Sequence, residues 1–254
     1  AKPIITGSPQ DVAQADKWML YAETANGGKI WQYTEKMQDA GVILLNGGEV
    51  VGGTAQSYEK ENGKYAGGAG GAIQINGGKM VLNDGVVRDG VAKSYVDWQV
   101  GSTPYKRGYA GNIFVSSGVL EINGGVVMNG RAGIGGNIFL DGTSEFTMKG
   151  GEIVGGMLMD PGRNGGNLYI NTKAKAVISG GRICDGTTMG ASGNIHLAGT
   201  LTMNGGIITG NFSSGEYYEN LVRECGAECE IIFANDARAV LNYTKNVINC
   251  DIHT

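Results

Sequence analysis

The sequence predicts an all-β solenoid, a single-stranded parallel β-helix of about seven coils. Three observations predict it. A unit best seen in residues 135–156, GGNIFLDGTSEFTMKGGEIVGG, returns in near-copies upstream and downstream. Within each copy, three runs of three to five residues with alternating apolar side chains are separated by glycine corners, as in one three-sided coil that hydrogen-bonds to the next. Glycine supplies 46 of 254 residues against 4 prolines, which fits glycine placed at defined corners and excludes collagen or a disordered Pro/Gly linker. A repeat array lengthens by adding coils, so the chain reads as one domain: an N-terminal cap over 1–26, coils over 27–250 with 229–250 as a degenerate closing coil, and a tail over 251–254.

In chain order, Ser8-Pro9-Gln10-Asp11 places an N-cap residue, a proline suited to the first helical position and an acid in the first turn. This predicts a capping helix over about 10–21, with Val12, Ala15, Met19 and Ala22 on one face. The rival reading makes Trp18 to Glu23 a strand.

The first strands of the coils align as GGKIWQY (27–33), GGAIQI (70–75), GNIFV (111–115), GGNIFL (135–140), GGNLYI (165–170) and SGNIHL (192–197). Second strands with their corners are ILLNGG (43–48), MVLNDG (80–85), LEINGG (120–125), FTMKGG (146–151), AVISGG (176–181) and LTMNGG (201–206), and the third strands centre on Val50, Val87, Val127, Ile153, Ile183 and Ile208. Residues 230–243 keep the strand pattern without glycine corners, as a terminal repeat does. Alternation points Ile113/Val115, Ile138/Leu140 and Leu168/Ile170 inward, joined by Leu82, Ile122, Met148, Ile178 and Met203 from the second strands. Asn46, Asn83, Asn123 and Asn204 precede equivalent corners, where asparagine tolerates the left-handed conformation and its amide can bond along the stack.

These repeats resemble right-handed β-helix proteins of bacterial surfaces, including the adhesin-like polymorphic outer-membrane proteins, and more broadly the pectin-lyase-like superfamily. The resemblance covers about residues 27–250 and rests on the recurring GGNI(F/Y) and NGG units. Gly70 to Ile73 matches the Gly-Gly-Ala-aliphatic motif of the polymorphic proteins once, without that family's companion Phe-x-x-Asn motif. The resemblance implies right-handed coiling, in keeping with the usual hand of parallel crossovers, and an extracellular or cell-surface location. It leaves adhesion and polysaccharide cleavage both open.

Outward positions of the first strands hold Trp31, Gln74, Phe114, Phe139, Tyr169 and His196. At about 4.8 Å per coil they form a largely aromatic stripe, which either contacts a glycan or a host or cell-surface protein or lies under the chain's own inserts. Those inserts, at 54–69, 91–110, 131–134, 157–164, 187–191 and 212–228, carry seven of the eleven tyrosines. That bias makes Tyr95, Trp98 and Tyr105 on the longest central insert candidates for one wall of a binding groove. The binding set is therefore Trp31, Phe114, Phe139, Tyr169, His196, Tyr95, Trp98 and Tyr105.

Catalysis has thin support. Asp84, Asp89 and Asp97 with Arg88 and Lys93 form the only acid-base concentration near a long insert, and corner chemistry explains Asp84 and Asp89. A polysaccharide lyase or glycoside hydrolase of the pectin-lyase-like type is thus the alternative to a non-catalytic module, and no cofactor is expected. Cys225, Cys229, Cys250 and His253 can be written as a zinc site, while Cys229 or Cys225 with Cys250 can be written as a disulfide. A net charge of −4 without a basic cluster disfavours nucleic acid. No apolar run reaches the ~20 residues of a membrane span, so membrane insertion is not expected. Ala1 in place of an initiator methionine reads as a processed or excised piece. Open solenoid ends are strand edges, so end-to-end self-association into a filament or matrix is a second alternative.

Overall fold

The computed structural model describes residues 18–23, 29–34, 41–59, 65–95, 106–161, 163, 165–190, 192–213, 219–223, 230–233 and 238–239. Within them the chain is all-β. Almost every strand pairs in parallel with its counterpart one repeat earlier and one repeat later, the connectivity a solenoid requires.

Four ladders run through the repeats. In the first, Ile73, Ile113, Ile138, Leu168 and Ile195 are successive partners. The second joins Leu82, Ile122, Met148, Ile178 and Met203, and the third Val50, Val87, Val127, Ile153, Ile183 and Ile208. All of these residues are buried. They form one continuous apolar core, in the register that period-two alternation predicts.

The fourth ladder lies where the sequence predicts only loops. Thr54–Gln56, Val91–Lys93, Arg131–Ala132 and Met157–Leu158 pair in parallel from repeat to repeat, and Met157 pairs onward with Thr187. Ala92, Ala132, Leu158 and Thr188 are buried beneath it. These strands are two or three residues long, too short for their alternation to stand out from a loop.

Each turn from the third ladder into the fourth uses a left-handed residue followed by glycine. The left-handed position holds Gly52, Asp89, Asn129, Gly155 or Asp185, with φ between 57° and 71°. Only glycine, asparagine and aspartate take that conformation at low cost, so Asp89 and Asp185 are accounted for by corner geometry. The glycine that follows has a different cause: a Cβ on Gly130 would lie 2.3 Å from the carbonyl oxygen of Gly136.

At the N-terminal end the expected helix is not what residues 18–21 form. Trp18–Glu23 is a strand, antiparallel to Lys29–Thr34, and Ile30 pairs in parallel with Ile73. Two six-residue runs rich in aromatic and branched side chains flank Asn26-Gly27, a hairpin signal that outweighs the helix-start chemistry of residues 8–11. Residues 10–17 lie outside the described set. At the other end, Glu230–Phe233 and Arg238–Ala239 pair in parallel with Thr200–Met203 and Ile207–Ile208, as expected of a seventh repeat. Glu219–Arg223, expected within an insert, extends the first ladder by pairing with Ser192–Leu197.

Candidate functional site

The outward row of the first ladder forms in the predicted register: Gln74, Phe114, Phe139, Tyr169 and His196 are consecutive partners. Phe139 and Tyr169 stack with centroids 4.8 Å apart and planes 4° from parallel. Tyr169 and His196 stack at 4.2 Å, and Phe114 with Phe139 at 5.6 Å.

Most of the stripe is covered, the second of the two expected arrangements, which takes Phe114, Phe139 and His196 out of the exposed binding set and leaves Tyr169 half-buried. Phe139 is 3% exposed, Phe114 7% and His196 2%. Tyr109, returning from the long insert, sets its ring edge-on to Phe139 at 5.1 Å, and Ala69, Ala110 and Ile134 pack on the same cluster. The cover is itself ordered by parallel bridges from Ala69 to Tyr109 and from Tyr109 to Ile134. Face-on stacking with a sugar needs an open ring face, and Phe114 and Phe139 offer none without displacement of Tyr109. Of the other predicted binding residues, Tyr95 is half-buried at the base of the long insert. Its amide donates to the carbonyl of Lys106 at 2.7 Å. Trp31 sits in the strand Lys29–Thr34. Trp98 and Tyr105 lie outside the described residues, as do Asp97, Cys225, Cys229, Cys250 and His253.

The inserts are braced by polar groups that sequence reasoning missed. Asp160 Oδ2 accepts from Arg107 Nη1 at 2.9 Å and from Ser94 Oγ at 2.7 Å. Ser94 Oγ in turn accepts from the Gly108 amide. One repeat earlier, Ser57 Oγ accepts from Gly68 N and donates to the Arg107 carbonyl. Asp160 is 7% exposed and Ser57 1%. Beside the Ser94–Asp160 bond Gly133 leaves the necessary room, since a Cβ there would lie 2.4 Å from Ser94 Oγ and 2.5 Å from Asp160 Oδ2. Inserts from separate repeats are thereby locked into one platform. Its partners stand 53 and 66 residues from Asp160 in sequence, so no local pattern announces them.

Also unforeseen is a buried asparagine ladder at the GNI position. Asn112, Asn137, Asn167 and Asn194 are fully buried. Nδ2 of each of the first three donates to Oδ1 of the next at 2.7–2.8 Å. Every Oδ1 also accepts a corner amide, from Gly90, Gly130, Gly156 and Gly186 respectively. The predicted exposed ladder exists too, linking Asn46, Asn83 and Asn123. It stops there because Lys149 and Ser179 take the next two positions, which leaves Asn204 separate from it.

Several of the remaining charges pair on the surface. Arg88 bonds Glu49 and Asp89, and Arg182 bonds Glu152. Asp84 Oδ1 accepts from the Gly85 amide at its corner. Glu121 lies between Lys149 and Lys79 at 2.6 and 2.7 Å; their hydrogen bonds, Lys149 first, hold its carboxyl at about 2. Cys184 is buried on the third ladder, where desolvation pushes its thiol up to about 11, so the reactive thiolate is scarce near neutral pH. Among the described residues no group of three or more His, Cys, Asp or Glu side chains is placed to hold a metal ion.

The exposed side chains on the insert-bearing side are mixed: the apolar Tyr58 at 53%, Met157 at 36% and Met189 at 52% stand among the polar Thr54, Gln56, Lys93, Arg131 and Arg163, with Arg131 paired next to Met157 in the fourth ladder. No family model, curated protein or solved structure matches the chain.

Proposed function

We infer that the chain is a right-handed parallel β-helix of about seven coils. It acts as a non-catalytic recognition module of the cell surface or extracellular space, and its insert-bearing side is the contact surface. The right-handed assignment rests on the parallel repeat-to-repeat pairing together with the general hand of parallel crossovers. The location rests on the resemblance to bacterial surface solenoids.

The observation that carries the recognition reading is the Arg107–Asp160–Ser94 brace, which makes a rigid platform of inserts from different repeats. Rigid display lowers the ordering cost of binding. The platform's exposed side chains favour a protein partner over a glycan. Phe114 and Phe139 are covered by Tyr109, whereas Met157, Met189 and Tyr58 provide the adaptable apolar contact typical of protein-binding surfaces. The acids best placed for lyase chemistry have structural duties: Asp89 occupies a left-handed corner beside Arg88, and Asp84 binds the Gly85 amide.

The test is binding of the purified chain to intact cell surfaces and to a glycan array, beside the double variant R131S/M157S. The expected result is protease-sensitive binding to surfaces, reduced at least tenfold in the variant with its melting transition unchanged. Binding to purified glycans, or release of unsaturated products from uronic-acid polymers, would replace this reading with the glycan-binding or lyase alternative.

A further inference from the structure

The outward face of the fourth ladder divides into a cationic end and a methionine end. Ala92, Ala132, Leu158 and Thr188 are buried, so alternation turns the residues beside them outward. Register then sets Thr54, Val91, Arg131, Met157 and Thr187 side by side, one per repeat. Lys93 follows two residues along from Val91, and Met189 two along from Thr187. Lys93, Arg131, Met157 and Met189 are exposed, Val91 and Thr187 half-buried. The cations thus fall in the second and third repeats and the methionines in the fourth and fifth.

Neither cation is neutralised within the described residues. Lys93 and Arg131 reach no acid there, and Asp160, bonded to Ser94 beside Lys93, is taken up by Arg107 at 2.9 Å. Asp89, at the corner before Val91, is held by Arg88. At the far end exposed Arg163 and Asp185 add one charge of each sign. The whole chain carries a net charge of −4, so it repels an anion at long range while this end of the strip attracts one.

We propose that the strip binds an extended segment of a partner protein, which sets acidic side chains over Lys93 and Arg131 and large apolar ones over Met157 and Met189. The proposal rests on the reading of the insert-bearing side as a protein-contact surface and assigns the chemistry of the partner. Five strands about 4.8 Å apart span roughly 19 Å, the length of about six extended residues. A segment crossing them turns alternate side chains toward the strip, acids in one half and apolar residues in the other. Methionine adapts to whichever apolar side chain arrives, and the two cations fix which end of the segment lies where. Parallel pairing already holds the backbone beneath, so the ordering cost falls on the segment. That leaves a weak Kd, on the order of 100 µM.

Fluorescence anisotropy of the labelled peptide Glu-Ser-Glu-Ser-Leu-Ser-Phe, titrated with the full chain to about 500 µM, tests the proposal across that Kd. The peptide is expected to bind in low salt and to weaken at least tenfold in high salt, where surface charges are screened. A version with glutamine in place of glutamate should bind at least tenfold more weakly. K93E/R131E should lose the glutamate peptide and take up Lys-Ser-Lys-Ser-Leu-Ser-Phe instead, a reversal that damage to the fold would not produce. M157S/M189S should weaken the glutamate peptide at least fivefold. Both variants should melt as wild type does, because all four side chains are exposed.

Absence of binding at the top of the titration, equal binding of the glutamine peptide, or failure of K93E/R131E to take the lysine peptide would overturn the proposal. So would binding of dextran sulfate together with peptide binding that ignores M157S/M189S, the pattern of a general polyanion site. If the proposal falls while protease-sensitive binding to cell surfaces persists, the contact surface stands and only the partner's chemistry is withdrawn. Peptide binding without cell-surface binding has the opposite meaning: the strip keeps its ligand chemistry and the cell-surface reading fails.

Discussion

Asn137 donates Nδ2 to Oδ1 of Asn167 at 2.7 Å, and both side chains are fully buried. Each asparagine uses its whole hydrogen-bonding capacity there. Asn137 accepts from Gly130 N and Asn112 Nδ2 while donating to Asn167 and the Val154 carbonyl. The ladder ties the corner of each repeat to the next from inside, where water cannot substitute.

Asn137→Ala is therefore expected to cost about 3–5 kcal/mol, because at least two buried donors lose an acceptor and each costs about 1–3 kcal/mol. The reverse experiment lies one repeat below the ladder's start, where Ala72 takes the asparagine position under Asn112. Ala72→Asn should offer an amide to Asn112 Oδ1 and stabilise by about 1 kcal/mol. Urea denaturation of the two variants reads both signs, and equal destabilisation by both would show that the ladder does not set corner stability.

Adjacent corner residues should respond in opposite ways. Asn129 has φ 57°, so Asn129→Gly should change stability by only a few tenths of a kcal/mol, and Asn129→Val should cost about 1–3 kcal/mol in left-handed strain. At Gly130 the constraint is space, with the Gly136 carbonyl oxygen 2.3 Å from an added Cβ. Gly130→Ala should cost about 3 kcal/mol through backbone displacement. A tolerated Gly130→Ala would mean that neighbouring repeats separate easily at this corner.

These contrasts show why some of the molecule was legible in sequence. The pairing of Ile138 with Leu168 follows from a repeat period and an alternation that are both visible in the chain. The left-handed corners follow from the few residue types that accept them. Asn137 was visible as part of a repeated GNI unit, but its role was hidden, because an inward polar side chain reads as an exception until its partner in the next repeat is known. The Arg107–Asp160 bridge and the Tyr109 cover depend on where long inserts return. Local propensity carries no information on that, so Phe139 could be assigned to an outward row without a sign that the row is roofed.

The insert brace predicts a local opening. Asp160→Ala leaves Arg107 charged and largely buried without its acid, the kind of change that costs about 3–5 kcal/mol. The loss should fall on the platform and spare the apolar core. Limited proteolysis should cut faster within 91–110, and hydrogen exchange should rise at Gly108 and Gly68, whose amides bond Ser94 and Ser57. Ile138 and Leu168 should keep their protection. Uniform loss of protection would make the brace part of the core's cooperative unit instead.

Glu121 gives the pH dependence a defined sign. Its carboxyl titrates at about 2 in the folded chain against an ordinary 4.5, chiefly through hydrogen bonds from Lys149 and Lys79. A depressed carboxyl contributes stability in full above about pH 4.5 and loses it as pH falls toward 2. Glu121→Gln should flatten the acid limb of the stability curve over that window and leave the region above it parallel to wild type. Added salt should shrink the difference, since both lysines are solvent-exposed in large part. An acid limb unchanged by the substitution would assign the acid sensitivity to other carboxylates.

The covered stripe yields the sharpest distinction between core and contact surface. Phe139 is 3% exposed and touches three rings, Tyr109 edge-on and Phe114 and Tyr169 face-to-face. Phe139→Ala should therefore behave as a core truncation and cost about 3–5 kcal/mol. Tyr109→Ser is the informative partner, because it removes the roof while leaving the ladder's stack in place. Its expected cost is about 1–3 kcal/mol, with new binding of a hydrophobic dye as Phe114 and Phe139 become accessible. In a Tyr109→Ser background, Phe139→Ala should cost less than in the wild-type chain, by the roughly 0.5–1.5 kcal/mol of the lost edge contact. Additive effects would mean that Tyr109 lies over the stripe without packing on it, and the first-ladder row would regain its standing as a contact surface.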